Sequence, residues 1–304
     1  MNIYSLARKF PTEEHALAHL MKIRWPKGVR CVACGHEKCW LIESTNKSGK
    51  PRRLFQCAKC KQQFSATQGT LFHDSHLPLT KWFAAIALMA DAKKGMSAKQ
   101  LGRHIGMTYK TAWYVCHRIR EAMQESAGFK IGGDQVTVEI DEMYVGGAKR
   151  GQGVGVGKRA KQPVLGMAER DGSIHLQTVK DKSAAAIVPV IKSKLDPNTE
   201  QVVTDSLGTY MGAIPKGKHK RVSHKKELRD KNWTSTQTVE NAFSLFKRGI
   251  VGNYHWLSPW HMDRYLREFC WRFNRRGLQP WIFEMSLTNM VSAKPLPYKK
   301  LTEF

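Results

Sequence analysis

Two C-x-x-C pairs constrain the fold of this 304-residue chain more than any other feature. Cys31 and Cys34 form the first pair, and Cys57 and Cys60 form the second. Each pair places two thiolates on one tight turn, and two such turns complete a tetrahedral zinc site. The N-terminus has no apolar core long enough for a signal peptide, and clustered C-x-x-C pairs in a non-secreted chain indicate metal binding. The spacing therefore predicts a structural zinc ion in a small ribbon.

Other possible zinc ligands and the remaining cysteines fit the pattern of the two pairs less well. His36 and Cys39 are alternative ligands, but they break the symmetry of the two pairs. A set of four unliganded thiols is the remaining alternative, which the doubled motif disfavours. Cys116 and Cys270 lie in helical apolar patterns and are predicted to be buried thiols.

The charge balance points to an anionic partner. Lys and Arg total 50 against 25 Asp and Glu, a formal net charge of +25. A chain this basic repels itself unless an anion neutralises it, and nucleic acid is the usual partner. No stretch of about 18 apolar residues occurs, so no membrane span is expected. Charge alone predicts nucleic-acid binding and does not distinguish an enzyme from a scaffold.

Differences in residue composition and apolar periodicity along the chain predict five segments. In order they are an N-terminal helical segment at residues 1–28, a zinc ribbon at 29–76, a helix-turn-helix module at 77–130, a mixed α/β catalytic domain at 131–280 and an irregular tail at 281–304. Thr12 is the expected N-cap of the first segment, with acidic residues in the turn that follows. Pro295 and Pro297 suggest that the tail is irregular.

The helical module has the pattern of helix, glycine turn and helix. Ser97 is predicted to cap a short helix, and Thr108 a longer one after the turn at Gly106. This is the helix-turn-helix pattern, although three-helix bundles that never touch DNA share it. The second helix is expected to expose basic and aromatic side chains suited to phosphates and base edges. These side chains are Tyr109, Lys110, Arg118 and Arg120.

An acidic residue closes the first strand of the mixed region. From Val136 to Ile140 the apolar side chains alternate, so Asp141 lies on the face opposite to them. Glu139 and Glu142 are close enough to be alternatives to Asp141 as the functional acid.

Two further acids follow the order of a ribonuclease-H-like sheet. A strand ends at Asp205, and in that architecture the first and fourth strands are neighbours, which brings Asp205 beside Asp141. Two carboxylates that close repel each other unless cations lie between them, and Mg²⁺ prefers such oxygen ligands. A later helix carries Glu240 beside an apolar stripe, with Lys247 two turns along the same face.

Two basic stretches lie within the mixed region. Residues 146–161 interleave glycines with Lys and Arg and are expected to form a basic hairpin against the DNA backbone. Residues 216–231 include Lys225 and Lys226, which are expected to contact DNA near the scissile strand. A solvated loop is the alternative for residues 146–161.

Several runs together resemble the acidic-triad (DDE) transposases of bacterial insertion sequences. They are EIDEMYVGG at 139–147, VTDS at 203–206 and TVENAFSLFKRG at 238–249. The chain is similar, more narrowly, to the group with a zinc ribbon ahead of a ribonuclease-H-like catalytic domain. The run RWPKG at 24–28 and the separate segment 265–276 also resemble that group. By position, Asp141, Asp205 and Glu240 correspond to its metal-binding triad and Lys247 to its companion lysine.

The resemblance implies a cytoplasmic bacterial enzyme that cleaves DNA at the ends of an element and transfers the freed strand. It implies two catalytic Mg²⁺ ions, with Mn²⁺ as an alternative, at the three acids. The terminal repeats and target are double-stranded DNA, and two ends must be held together, so a homodimer or higher assembly is expected. The rival hypotheses are a catalytically inactive zinc-dependent regulator derived from a transposase, and a ribonuclease-H-like nuclease that does not join strands.

Overall fold

The computed structural model describes residues 2–45, 51–146, 161–205, 208–210, 212–222 and 235–303. These residues form two compact units. Unit 1 comprises residues 1–92, 96–123 and 278–304, and unit 2 comprises residues 93–95 and 124–277. None of the helices in the described ranges combines the length and the hydropathy that a membrane crossing requires.

The N-terminal part of unit 1 alternates helices with one small sheet. Its elements are α1 (Ile3–Lys9), α2 (Glu13–Arg24), β1 (Cys39–Thr45), β2 (Pro51–Cys57), β3 (Gln63–Phe64), α3 (Leu79–Asp91), α4 (Ala98–Ile105) and α5 (Tyr109–Ala122). The three strands form an antiparallel sheet in the order β1-β2-β3. Phe55 and Phe64 pack in this small core with Trp25, which follows α2.

The predicted helix caps are confirmed. The side chains of Thr12, Ser97 and Thr108 each accept a hydrogen bond from the backbone N–H three residues on, which satisfies a free donor of the first turn. Gly106 ends α4 with a φ of 68°, a left-handed conformation that glycine adopts without a steric penalty. The helix-turn-helix pattern of α4 and α5 therefore exists as predicted.

Unit 2 is built around a five-stranded mixed sheet. Its elements are β4 (Thr137–Val145), β5 (Gln162–Glu169), β6 (Ile174–Thr178), α6 (Ala184–Lys194), β7 (Gln201–Thr204), β8 (His219–Arg221), α7 (Gln237–Gly249) and α8 (Met262–Asn274). The strand order is β6-β5-β4-β7-β8. Strands β4 to β6 are antiparallel, whereas β7 and β8 run parallel to β4. This is the ribonuclease-H-like sheet that the sequence predicted, with helices against it.

The two faces of this sheet support two separate apolar cores. Val138 and Ile140 lie on the face that packs against α6, with Ile187 and Ile191 among the buried residues. Met143 lies on the opposite face, which α7 and α8 cover. The predicted alternation along β4 is therefore confirmed, and Asp141 shares the face toward α7.

A glycine lets α7 approach the sheet closely. Gly166 pairs with Asp141 across β4 and β5. A Cβ atom at Gly166 would lie 2.4 Å from the ring of Phe243 and 2.8 Å from the side chain of Val239. Any larger residue would push α7 away from β5 and thereby from Asp141.

The tail of the chain returns to unit 1, and here the expectation of an irregular tail is wrong. Residues 278–303 contain α9 (Ile282–Ser292) and α10 (Lys299–Thr302). Ile282, Phe283 and Leu287 are buried, and α9 packs against α2, α3 and α5. The prolines lie after α9, where they end the helix without breaking it.

Candidate active site

Asp141, within β4, and Asp205, directly after β7, meet at neighbouring positions of two parallel strands. In the β4–β7 pair Ile140 is opposite Thr204, so the next residue of each strand is an aspartate. Asp141, Glu142 and Asp205 each offer a carboxylate oxygen, and these three atoms lie within 4.8 Å of one another. The predicted meeting of Asp141 and Asp205 is therefore found, and Glu142 joins them.

The Asp141 carboxyl lies in an environment that disfavours its charge. Burial raises the pKa of Asp141 to about 6, and the negative charges of Glu142, Asp205 and Glu240 act in the same direction. A hydrogen bond from the backbone N–H of Glu142 to Asp141 Oδ1, at 2.7 Å, opposes that shift. Carboxylate oxygens that repel one another at this distance are the donor set that a divalent cation such as Mg²⁺ takes. The residues present therefore fit such an ion.

Glu240 reaches this region from the first turn of α7. Its Oε1 accepts a hydrogen bond of 2.8 Å from the hydroxyl of Thr236. Among the described residues, the carboxylates within 4.8 Å of one another do not include Glu240. Glu240 nevertheless lines the same cavity as Asp141, and its charge contributes to the raised pKa of that residue.

One cavity of 950 Å³ joins the acids to a set of cations. Asp141, Glu142 and Glu240 lie on its wall together with Lys247. Further cationic side chains on the wall are Lys94, Lys161 and Arg248. A cavity with carboxylates and several cations suits a phosphodiester, since the cations bind phosphoryl oxygens and the carboxylates bind metal ions. The exposed Lys247 lies on the same helix as Glu240, two turns further along, as predicted.

Glu139 shares a face of β4 with Asp141 but serves the fold. Its Oε2 accepts hydrogen bonds from the backbone N–H groups of Thr238 and Val239, at 2.6 and 3.1 Å. Its Oε1 accepts from the Thr238 hydroxyl and from Arg170 Nε, each at 3.0 Å. This carboxylate therefore caps α7 and holds the N-terminus of that helix against β4. Its place at the helix end explains why a buried glutamate lies so near the acids.

Glu142 is held by two partners on the other face of the sheet. The hydroxyl of the fully buried Tyr210 donates to Oε1 at 2.5 Å. The Lys182 ammonium lies 3.3 Å from Oε2. Burial raises the pKa of Tyr210 well above its ordinary value, and the charge of Glu142 adds to the effect, so the hydroxyl keeps its proton and donates.

The four cysteines of unit 1 converge as their spacing predicts. Three Sγ–Sγ distances are 3.6 Å: Cys31 to Cys60, Cys34 to Cys57, and Cys34 to Cys60. Four thiolates bound to one tetrahedral zinc ion at about 2.3 Å are separated by roughly 3.8 Å, so this cluster fits zinc. Cys39 is outside the cluster and lies 3.7 Å from the carbonyl oxygen of His36.

The start of α5 presents the side chains expected of a DNA-reading helix, and its end does not. Tyr109 is 63% exposed and Lys110 is exposed. The expected exposure of Arg118 and Arg120 is wrong, since they are 4% and 1% exposed. Arg118 donates to the carbonyl of Leu71 at 3.0 Å and to the hydroxyl of Tyr114 at 2.6 Å. These bonds hold the buried Arg118 within unit 1, so it has a structural role.

Some expected DNA contacts fall where nothing can be said of their structure. Lys225 and Lys226 lie outside the described residues, as do residues 147–160 of the glycine-rich basic stretch. The arginines near the end of α8 are engaged within unit 2: Arg272 is buried beside Glu268, and Arg275 binds Glu125 at 2.7 Å.

Known protein families match both units. The ISXO2-like transposase domain matches residues 131–274, and the transposase zinc-ribbon domain matches residues 11–63. A relative described as an uncharacterized protein in transposable element ISH50 of Halobacterium salinarum is 28% identical over 221 residues. That alignment covers 67% of this chain and 70% of the relative.

The fold and site define a nucleic-acid-processing class, in which a ribonuclease-H-like sheet carries an acidic cluster. Within that class, a zinc ribbon and a DDE transposase domain follow one another in this chain as separate matches. Both matched domains, over residues 131–274 and 11–63, indicate an insertion-sequence transposase.

Proposed function

We propose that this transposase cleaves DNA at the ends of its insertion sequence and joins the freed 3′-hydroxyl to a target strand, with Asp141, Asp205 and Glu240 as its catalytic acids. The convergence of Asp141, in β4, with Asp205, directly after the neighbouring parallel strand β7, is the observation that carries this proposal. The raised pKa of Asp141 supports it, because the site holds negative charge that a cation would neutralise.

The three acids are the residues that would hold two Mg²⁺ ions, or Mn²⁺ in their place. When bound, these ions activate an oxygen nucleophile and stabilise the charge that develops on phosphoryl oxygens. Asp141 and Asp205 contribute oxygens from the rigid sheet, which keeps them in place between the cleavage and joining steps. Glu240 contributes from α7, where the Thr236 hydroxyl orients its carboxylate.

Cations on the cavity wall would position the DNA backbone. Lys247 lies on the same helix as Glu240 and in the same cavity as Asp141. Its ammonium would bind a non-bridging oxygen of the scissile phosphate and offset charge in the transition state. Lys225 and Lys226 belong to the same proposal on sequence grounds alone.

Unit 1 is proposed to bind the double-stranded terminal repeats through its zinc ribbon and through the start of α5. Tyr109 and Lys110 have the exposure that contacts to phosphates and base edges require. Joining needs two ends in one complex, so we propose a homodimer or higher assembly on DNA. The proposed place of action is the bacterial cytoplasm, where the element's DNA lies.

Strand cleavage and strand transfer on a labelled duplex carrying the element's own ends test this function. The zinc-loaded wild type is compared with Asp205→Asn in Mg²⁺, with EDTA as the metal-free control. We expect the wild type to cut and join. Asp205→Asn should bind the duplex equally well and lose at least about a hundredfold in rate, the scale of removing one transition-state contact. Asp171→Asn, at an exposed turn of unit 2, is the matched control and should retain activity.

Three results would contradict the proposal in different ways. A wild type that binds the ends but neither cuts nor joins them would indicate an inactive DNA-binding regulator. Cleavage without joining would indicate a nuclease of the same fold. Full activity in Asp205→Asn would remove this aspartate from the catalytic set.

A further inference from the structure

Glu142 is a buried acid that the proposed triad does not use. Its side chain is 1% exposed, and it directly follows Asp141 on β4. One of its oxygens lies within 4.8 Å of ligand oxygens from both Asp141 and Asp205. Carboxylate oxygens from three residues at this distance form the kind of donor set that a divalent cation takes.

The two oxygens of Glu142 differ in their partners. Tyr210 donates to Oε1 at 2.5 Å and thereby fixes the rotation of the carboxylate. The Lys182 ammonium is 3.3 Å from Oε2, but no group in the described part of the chain donates a hydrogen bond to that buried atom. A carboxylate has about four lone-pair sites, so Glu142 retains acceptor capacity in a place that water does not reach.

Glu139, three residues earlier, provides an internal comparison. It is equally buried, yet both of its oxygens are filled by donors from α7 and by Arg170. Glu139, which serves the fold, therefore has hydrogen-bond donors at both of its carboxylate oxygens. Glu142 instead accepts a hydrogen bond at Oε1, while at Oε2 it has the Lys182 ammonium 3.3 Å away and no hydrogen-bond donor among the described residues.

We propose that Glu142 is a fourth carboxylate of the divalent-metal centre and that Tyr210 is its positioning residue. This inference rests on the proposed function, since it assumes that Asp141 and Asp205 bind metal. Tyr210 lies in the short 3₁₀ helix of residues 208–210, shortly after Asp205. Its bond to Glu142 therefore ties the chain after β7, which carries Asp205, to β4, which carries Asp141.

Binding of Mn²⁺ to the full-length, zinc-loaded protein without DNA tests this inference directly. The electron paramagnetic resonance signal of free Mn²⁺ gives the dissociation constant and the number of ions bound. We expect Glu142→Gln to weaken Mn²⁺ binding by at least about tenfold. Tyr210→Phe, which removes one hydroxyl, should weaken it by roughly tenfold, as the loss of an outer partner of a metal ligand commonly does.

Two matched controls come from the same unit. Glu200→Gln removes the same charge from an exposed position before β7, and Tyr265→Phe removes a hydroxyl from α8. Both should bind Mn²⁺ like the wild type. If Glu142→Gln fails to fold, by its circular dichroism spectrum and melting temperature, Tyr210→Phe decides, because it keeps the buried ring.

The outcomes separate this inference from the proposed function. If Glu142→Gln and Tyr210→Phe bind Mn²⁺ like the wild type while Asp141→Asn does not, the inference is overturned and the triad remains. If the wild type binds no Mn²⁺ at millimolar concentration, the metal centre itself is wrong, and both proposals fall. Weaker binding in Glu142→Gln and Tyr210→Phe, with unchanged controls, supports the fourth carboxylate.

Discussion

The thiol cluster of unit 1 and the carboxylate cluster of unit 2 are assembled from different parts of the chain. Four cysteines within 30 residues come from two turns beside one small sheet. The buried residues of its core are Phe55, Phe64, Cys31 and Cys57, with a few partly buried side chains such as Trp25 packed against them. Asp141 and Asp205 come from strands that are distant in sequence and adjacent in a sheet with a large core on each face.

This difference predicts different roles for the two proposed metals. Zinc would contribute to the folding of the ribbon, whereas Mg²⁺ would bind a site that the fold of unit 2 already forms. A ribbon with so small a core has little apolar burial to offset its conformational entropy, so zinc binding must supply folding free energy. The sheet of unit 2 buries enough apolar surface to fold while its acids repel one another. We therefore expect zinc removal to unfold the ribbon, and Mg²⁺ removal to leave unit 2 folded.

The largest expected effect is the loss of zinc. Cys57→Ser should abolish the ribbon fold, since structural zinc sites contribute roughly 10 kcal/mol or more of binding free energy to folding. Zinc content and amide hydrogen exchange measure this, with protection lost in β1 and β2 and retained in β4 and β5. Cys39→Ser, a cysteine of the same ribbon outside the cluster, should keep its zinc. A Cys57→Ser protein that holds zinc with full protection would contradict the comparison.

The next largest effect should come from a carboxylate that binds no metal. Glu139→Gln removes the charge that pairs with Arg170 and weakens the cap of α7, and should lower the free energy of unfolding of unit 2 by about 2–4 kcal/mol. Urea denaturation measures this loss. Mn²⁺ affinity should stay at the wild-type level once the variant is folded, whereas unchanged stability with weak Mn²⁺ binding would reverse the assigned roles of Glu139 and Asp141.

A smaller effect is expected from pH. The pKa of Asp141 is raised to about 6 in the folded protein from an ordinary value of 3.8, so the folded state binds the proton more tightly than the unfolded state. Without divalent metal, stability should therefore fall as pH rises from about 4 to 6, by roughly 1–2 kcal/mol after solvent screening. The difference in melting temperature between the wild type and Asp141→Asn across that range measures it. If the melting temperature of the wild type rose relative to that of Asp141→Asn as pH rises, the sign of the effect would contradict this prediction.

The smallest effect concerns DNA binding by unit 1. Lys110→Ala should weaken binding to the terminal repeats by about 1 kcal/mol and reduce the salt slope of the binding constant by about one, as the loss of one phosphate contact does. Fluorescence anisotropy at several salt concentrations measures both. Arg118→Ala, in the buried half of the same helix, should lower the melting temperature without changing the slope. Equal slopes for Lys110→Ala and the wild type would contradict the DNA contact.

Local patterns predicted most of the secondary structure, because their causes are local. The caps at Ser97 and Thr108 need only a hydroxyl and a nearby backbone N–H. The alternation before Asp141 needs only a strand with two different faces. Asp205 could be placed beside Asp141 because the strand order of a ribonuclease-H-like sheet puts those strands together.

The errors arose where distant segments decide burial. Arg118 looked exposed because the sequence of α5 does not reveal that its guanidinium binds the carbonyl of Leu71, 47 residues earlier in the chain. The apolar spacing of Ile282, Phe283 and Leu287 is a helix signal, but the prolines after it favoured the prediction of an irregular tail. Glu142 could be considered from its position, yet its partner Tyr210 belongs to a turn that no local pattern predicts.

The cap that Glu139 forms on α7 has a consequence for how such enzymes tolerate changes in chain length. The N–H groups that Glu139 binds lie at the start of the helix that carries Glu240. Strand β4 therefore fixes the position of the N-terminus of α7. We therefore expect the position of Glu240 to depend on this cap and not on the length of the chain between Asp205 and Glu240. We expect residues inserted into or deleted from the segment 223–234 to leave the third acid in register with the first, so relatives can differ in that spacing while keeping one reaction.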